Sequence, residues 1–450
     1  MNEYVDLPIS LWLTDDNHNI SPYIQVPQFL LDYCYEMNQD CRIVVTQPRR
    51  IAARALACRV SETREWRLGG LVGYQIGMDN RHRSPNTRLL YLTTPILLKM
   101  FAQRKSISQF THVVLDEFHE RDLDSDLVLL ACRLLLADLD HGGTTKLIVM
   151  SATLNIDPLV QYFKAVQLKT ATFSVSQQHP AASDSRQWVS AAGFRVEKRW
   201  LRSIKDYLAA DLEICSRERP ACEWQQEYEA LLSPRFDQPA ISDLEFELVA
   251  RLLLTLRSEE VGWEEELSRG SHRDKVETTD RIPGAVLIFL PGEAEILSLR
   301  SILWEASLKY SRNEEWSLLP VHSRLTRDEQ DRVFQAPEPG VRKIILATNI
   351  CESSLTIPDV VYVVDFCRTR EIHWDSETHL ERLQLKWASQ ANLKQRAGRV
   401  GRVRWGRVYR TIPEEFGRKL REFPAPEILR APLDKLVLTV KILDLGSPRM

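Results

Sequence analysis

Short runs of Val, Ile and Leu, each ending in a polar cluster, recur along this chain in two separate sets. The first set is Arg42 to Thr46, Leu89 to Thr93, His112 to Asp116 and Lys146 to Met150; the second is Ala285 to Leu290, Lys343 to Ala347 and Val360 to Asp365. Segments of helical character, such as Thr326 to Phe334, lie between them. Strands this apolar need cover on both faces, and helices packed on both sides of a parallel sheet supply it. The pattern predicts two α/β domains in tandem. At 450 residues, 44% apolar and 27% charged, the chain is long enough for two cores.

Composition shifts place the boundaries at about 1–190 for the first domain and 191–425 for the second. Within the second, residues 197–281 are rich in charge, and Arg257 to Arg281 has little apolar periodicity, which predicts a helical insertion ending in a flexible loop. After Pro424 and Pro426 an amphipathic stretch, Leu429 to Leu445, is expected to open a further domain over 426–450 that continues past Met450. The N-terminus lacks a basic segment followed by an apolar run. The most apolar helix-like stretch, Leu127 to Leu139, is broken by Arg133 and too short for a bilayer, so no membrane partner is expected and the location expected is cytoplasmic, with the nucleus as the alternative. Eight cysteines occur without CxxC spacing; Cys34/Cys41 and Cys215/Cys222 are seven apart, a spacing that indicates neither a zinc site nor a disulfide framework. The net charge of −3 does not suggest a nucleic-acid partner, so local patches matter more than the sum.

In a doubly wound sheet ligands sit at the carboxyl ends of the strands, so polar clusters following apolar runs are the first places to look. HVVLDE runs into FHERD, placing Asp116 and Glu117 at a strand tip with His119 close by. In nucleotide hydrolases one such acid holds Mg²⁺ through water and a second orients the attacking water. An isolated acid pair is more often a solvated turn. The next strand ends in Ser151, Ala152 and Thr153, small hydroxyl residues able to relay a hydrogen bond. Far along the chain, Lys394 to Arg407 carries six basic residues and no acid. There Arg399 and Arg402 are three apart, so on a helical turn they would share a face and could neutralise a phosphoryl group; the alternative is a plain basic helix for phosphate backbone.

Six blocks in order resemble the motifs of the DEAH-box helicases of superfamily 2: TQPRR (Thr46 to Arg50), TTP (Thr93 to Pro95), DEFH (Asp116 to His119), SAT (Ser151 to Thr153), ATNICESSLTIPD (Ala347 to Asp359) and QRAGRVGR (Gln395 to Arg402). FLPG (Phe289 to Gly292) and PAPEILRAPL (Pro424 to Leu433) also match, the latter resembling the entry to that family's winged-helix domain. DFCRTR (Asp365 to Arg370), LQLKWAS (Leu383 to Ser389) and ILDLGSP look closest to a tudor-associated branch of germline helicases. The resemblance implies two RecA-like domains, ATP and Mg²⁺ as cofactors, and RNA, mainly single-stranded and held by its backbone, as partner. It implies catalytic roles for Asp116 (Mg²⁺ through water), Glu117, His119, Gln395, Arg399 and Arg402. Coupling between domains would fall to Ser151, Thr153, Ser353 and Ser354, and a ribose contact to Asp359. RNA-backbone contacts would come from Thr46, Gln47, Pro48, Arg49, Arg50, Thr93 and Thr94. Protein partners are not specified by any of these residues.

One motif breaks the pattern. The family carries GxxxxGK[ST] just before the helix that here reads QVPQFLL (Gln25 to Leu31), and its backbone amides, lysine and hydroxyl complete the Mg-ATP site. The segment in that place reads TDDNHNISPYI, without glycine or lysine and with Asp15 and Asp16 repelling an anion. Poor or absent ATP hydrolysis follows as an expectation. Either the motor has decayed and an RNA-gripping scaffold remains, or a stretch holding the loop is missing between Leu7 and Gln25; retention of Asp116, Glu117, Gln395, Arg399 and Arg402 favours the second. Smaller departures are Phe118, which adds bulk beside the acids, and Cys351; the family has Ala at both.

Overall fold

The computed structural model describes residues 22–77, 82–104, 106–137, 145–151, 156–166, 168–172, 187–189, 194–204, 228–269, 283–310, 315–322, 329, 332–352, 357, 359–375, 377–402 and 405–444. The first unit alternates α1 (Pro22–Glu36), β1 (Ile43–Gln47), α2 (Arg50–Thr63), β2 (Val72–Gln75), β3 (Leu89–Thr93), α3 (Thr94–Arg104), β4 (His112–Leu115), α4 (Leu123–Ala137), β5 (Lys146–Val149) and α5 (Ile156–Lys164). Its five strands are all parallel, in the order β2-β3-β1-β4-β5. Every residue of β1, β3 and β4 is buried, because two cores close over the sheet. One face packs Leu97, Phe101, Val128 and Cys132 from α3 and α4; the other packs Leu30, Ala53, Ala57 and Val60 from α1 and α2.

The second unit contains β6 (Gln187–Val189), β7 (Arg195–Trp200), α6 (Asp243–Arg269), β8 (Ala285–Phe289), α7 (Glu293–Tyr310), β9 (Glu315–Val321), β10 (Val341–Ala347), β11 (Val360–Asp365), the antiparallel hairpin β12 (Arg368–Asp375) and β13 (Leu380–Trp387), α8 (Gln390–Ala397) and β14 (Gly406–Arg410). The seven-stranded sheet runs β6-β7-β14-β11-β8-β10-β9 and is parallel except for the β6–β7 pair. After it, α9 (Asp434–Ile442) packs back on α4 of the first unit, with Val440 and Leu443 joining that core. These are two tandem RecA-like domains, as the sequence predicts.

Two sequence boundaries move. Since β6 already belongs to the second sheet, the change from one sheet to the other falls before Gln187, not at 190. Nor does a helical insertion begin at 197, because β7 is a sheet strand. Its charges are paired sideways: Glu197 lies opposite Arg407 of β14, accepts from Arg407 Nε at 3.0 Å, and accepts from Arg199 Nε at 3.1 Å. The helix α6 also does more than decorate the domain. Leu244, Phe246, Leu248, Val249, Leu252, Leu253 and Leu256 are buried against the second sheet, so α6 is a covering layer. It starts on a capping box in which Glu245 N–H donates to Ser242 Oγ and Ser242 N–H donates to Glu245 Oε2, each at 3.3 Å. Residues 270–282, where a flexible loop is expected, lie outside the described residues. No helix among the described residues is long and apolar enough to cross a membrane.

Candidate functional site

At the carboxyl edge of the first sheet, β4 stops at Leu115 and the chain turns sharply. Glu117 (φ 53°) and Arg121 (φ 47°) are left-handed on either side of a single 3₁₀ turn, Phe118–Glu120. Non-glycine residues hold that conformation only where their surroundings impose it. Here Phe118 N–H donates to Met150 O at 3.1 Å and its ring is 2% exposed within the first core. Asp122 then caps α4, accepting from Ser125 N–H at 2.8 Å and Ser125 Oγ at 2.6 Å. The bulk of Phe118 is thus taken up by the core and anchors the turn that presents the acids.

Asp116 and Glu117 are both buried. Asp116 Oδ2 accepts from Gln47 Nε2 at 2.5 Å and Oδ1 from Glu117 N–H at 2.9 Å. Burial nevertheless pushes Asp116 up to about 7, against those two hydrogen bonds. Burial, then Asp116 and Glu120, push Glu117 up to about 8, while Arg399 and Arg49 pull it down. Burial also lowers His119 to about 4, so its ring is neutral near pH 7; Nδ1 sits 3.5 Å from Glu117 Oε2 with Gln395 beside it. Glu117 therefore lies within the electrostatic reach of Arg399 of the second domain, and His119 beside Gln395.

Raised acid pKa values mean the folded chain binds protons more tightly than the unfolded chain. The stability these two groups contribute is complete below the ordinary carboxylate range near 4 and is lost as pH rises through about 7 to 8. Each tenfold difference in proton affinity is worth about 1.4 kcal/mol. Nucleotide-free protein should therefore lose thermal stability between pH 5 and pH 8 (a window of roughly that width follows from the shifts), and the double variant Asp116→Asn, Glu117→Gln should flatten that slope. An unchanged slope in the variant would show that other groups set it.

Several expected site residues are placed differently. The helix α8 ends at Ala397, with Gly398 as its C-cap and Gly401 at φ 73°, so Arg399 and Arg402 lie in the turn beyond it and do not share a helical face. Arg399 Nη2 donates to Glu352 O and its charge reaches Glu117 and His119. Arg402 turns back on the helix end, Nε 3.3 Å from Gly398 O. Thr46 and Gln47 point inward, Thr46 Oγ1 to Val114 O at 3.4 Å and Gln47 to Asp116, so neither is presented to a strand of RNA in this arrangement. Arg49 links the domains, with Nη1 2.8 Å from Asn349 O and Nη2 3.4 Å from Glu120 Oε1. Arg50 is exposed and Pro48 half-buried, whereas Thr93 and Thr94 are buried.

Asp359 is the clearest displacement. It precedes β11, at the amino edge of the second sheet, and its Oδ2 is 2.6 Å from Lys343 Nζ. Ligands of parallel sheets gather at the opposite edge, so its charge is committed to a core lysine rather than presented to a ribose. Ser151 is half-buried just beyond β5, its buried Oγ without a hydrogen-bond partner. Thr153, Ser353 and Ser354 lie outside the described residues. A cavity of about 350 Å³ beside the turn is lined by Pro48, Arg49 and Thr94, but also by Glu120, Asp122, Asp124, Glu381 and Glu427, with Lys435 as a second cation. With that excess of acid, a phosphate backbone there would be held by individual donors and not by net field.

The acid side of the site fits a hydrated Mg²⁺. Two buried carboxyl groups that burial disfavours as anions would be stabilised by a divalent charge, and Ser151 Oγ is a buried polar atom that a ligand would satisfy. The segment before Pro22, where the resemblance places the phosphate-binding loop, lies outside the described residues; the sequence has no glycine before Gly69 and no lysine before Lys99.

Residue 396, read in the sequence only as part of a basic segment, proves to be structural. Arg396 is 2% exposed and donates through Nε to Glu352 Oε2 (3.1 Å), Nη1 to Asp365 Oδ1 (2.7 Å) and Nη2 to Arg368 O (3.2 Å). It therefore holds the segment that carries Glu352 against the start of the turn that carries Arg399. A buried arginine inside a basic run leaves no local signal, because its two acids are remote in sequence.

Comparison with known proteins supports the same reading. Residues 274–404 match the helicase conserved C-terminal domain family. The chain is 38% identical over 425 residues to a protein of Drosophila willistoni, and 38% identical over 428 residues to one of Aedes aegypti, both described as a probable ATP-dependent RNA helicase spindle-E. Each alignment covers 94% of this chain, but only 27% and 28% of the respective relative, so the chain spans about a quarter of their length. Among solved structures, the DEAH/RHA helicase HrpB of Escherichia coli superposes with a TM-score of 0.62 at 29% identity, covering 90% of this chain and 41% of that one. With the strand-tip acids set against the turn of the second domain, these likenesses support a DExH-type helicase of superfamily 2.

Proposed function

We propose that this chain supplies the two motor domains of an ATP-dependent RNA helicase, with hydrolysis impaired where the phosphate-binding loop is missing from the sequence. The observation that carries the reading is the buried Asp116–Glu117 pair under the influence of Arg399 across the domain boundary, an arrangement with little use apart from a nucleotide. In a relative with the loop, nucleotide binding would draw the domains together and its loss would release them. Here Asp116 would hold hydrated Mg²⁺, Glu117 would orient water, and Arg49 and Arg50 would grip the RNA backbone of a single strand. A cytoplasmic role in RNA processing, in the germline branch whose motifs this sequence resembles, completes the proposal.

A second reading is a non-hydrolysing RNA-binding scaffold in germline small-RNA silencing, and the absent glycine and lysine favour it. RNA-stimulated Mg-ATP hydrolysis by the purified chain, run beside Glu117→Gln, tests both readings against a working motor. We expect hydrolysis at background in both proteins with RNA binding retained. Hydrolysis that the variant abolishes would establish a working motor and remove the impairment; loss of RNA binding as well would remove both readings.

A further inference from the structure

At the edge of the first sheet opposite the nucleotide cleft, three soft donors converge that no spacing rule groups. Cys34 lies in the last turns of α1, Cys41 follows two residues before β1, and His112 opens β4. Their convergence follows from strand geometry. Ile43 of β1 pairs in register with His112, and side chains two apart along a strand share a face, so Cys41 is brought to the same side as His112. The helix α1 covers that face and lowers Cys34 onto it. The result is two thiols and an imidazole, 3%, 6% and 6% exposed, with one donor atom of each lying within 4.8 Å of the other two.

We infer that Cys34, Cys41 and His112 form a structural site for a soft divalent cation, zinc, which ties α1 to β1 and β4. Two thiolates and a neutral imidazole balance Zn²⁺, so a complete site carries no net charge into the core. Zinc–sulfur bonds of about 2.3 Å place tetrahedral donors roughly 3.5–4 Å apart, so the donors need close by no more than about 1 Å. Thr111 is the outer group that holds the ring: its Oγ1 is 2.9 Å from His112 Nδ1 and accepts from Arg42 N–H at 2.9 Å. A water completes four-fold coordination. Each thiol gives up its proton as the metal–sulfur bond forms, two protons being released per zinc. Lying at the far end of β4 from Asp116, the site is structural, and it is independent of whether the motor hydrolyses ATP.

The full chain, purified without added chelator, should carry about one zinc per molecule by elemental analysis. Cobalt(II) exchanged into it should show a sulfur-to-metal charge-transfer band. The variant Cys34→Ser, Cys41→Ser should lose both signals, and Cys58→Ser, altering a half-buried thiol of α2, should keep them. A strong chelator should lower the melting temperature of the parent chain and leave the double variant unmoved. Should the double variant not fold, the parent chain decides alone. Metal-free protein that takes up no cobalt into thiolate coordination, or a Cys34–Cys41 disulfide in its place, overturns the proposal, as does a metal signal that survives in the double variant.

Discussion

Replacing Arg396 with Ala should destabilise the second domain by about 3–5 kcal/mol. The guanidinium is fully enclosed, and burial alone would work against its charge; the attraction of Asp365 and Glu352 more than reverses this and holds it above its ordinary range. Removing it leaves both carboxylates in the core, one at the end of β11 and one after the 3₁₀ turn Asn349–Cys351. An uncompensated buried charge, rather than the lost attraction, dominates the cost. It follows that Arg396→Met combined with Asp365→Asn and Glu352→Gln should recover much of the loss, since no charge is stranded. Equilibrium urea unfolding of the single and triple variants tests this through the midpoint at constant slope. A single variant within about 1 kcal/mol of the parent would show that water reaches the site and the triad is not desolvated. Because Glu352 O also receives Arg399 Nη2, the same variant should loosen the turn that faces Glu117.

The Glu245–Arg368 pair should be comparably sensitive, with Glu245→Ala costing about 3–5 kcal/mol. Glu245 is fully buried, and burial raises its carboxyl above the ordinary range despite Arg368. The contact is bidentate, Nη1 to Oε1 at 2.7 Å and Nη2 to Oε2 at 3.0 Å. Arg368 also donates to Pro239 O, Ala240 O, Phe366 O and Thr411 Oγ1, so the pair fastens the start of α6 to the start of the β12–β13 hairpin. Glu245→Ala strands Arg368 and breaks the capping box in the same step. Glu245→Gln keeps the acceptor at Ser242 but not the charge, so its loss should be smaller. Melting temperatures of the two variants order these contributions; equal losses would mean that the ion pair alone accounts for the effect and the cap for none of it.

Much of this architecture was legible in the residues. Seven strands of the two sheets, β1, β3, β4, β5, β8, β10 and β11, fall where the apolar runs predict them, because a strand covered on both faces must be apolar along its whole length, and that is a local property. Asp116 and Glu117 were legible for a similar reason: a polar pair directly after such a run has to emerge at the carboxyl edge. The charged strand β7 was not legible. Its polarity is neutralised by Arg407, more than two hundred positions away, and no window along the chain contains both partners.

The sequence alone determined the class of fold, the order of its elements and the chemistry available at the cleft, since hydrophobic period and strand-end polarity are read from neighbours in the chain. Only the tertiary structure decided which charges are spent internally. It turned Gln47 onto Asp116, fixed Asp359 to Lys343, enclosed Arg396 between two remote acids, and brought His112 to Cys34 and Cys41. The physical reason is common to all four: a buried polar group must find its partner in space, and parallel strands joined by crossovers bring together residues that sequence distance keeps apart.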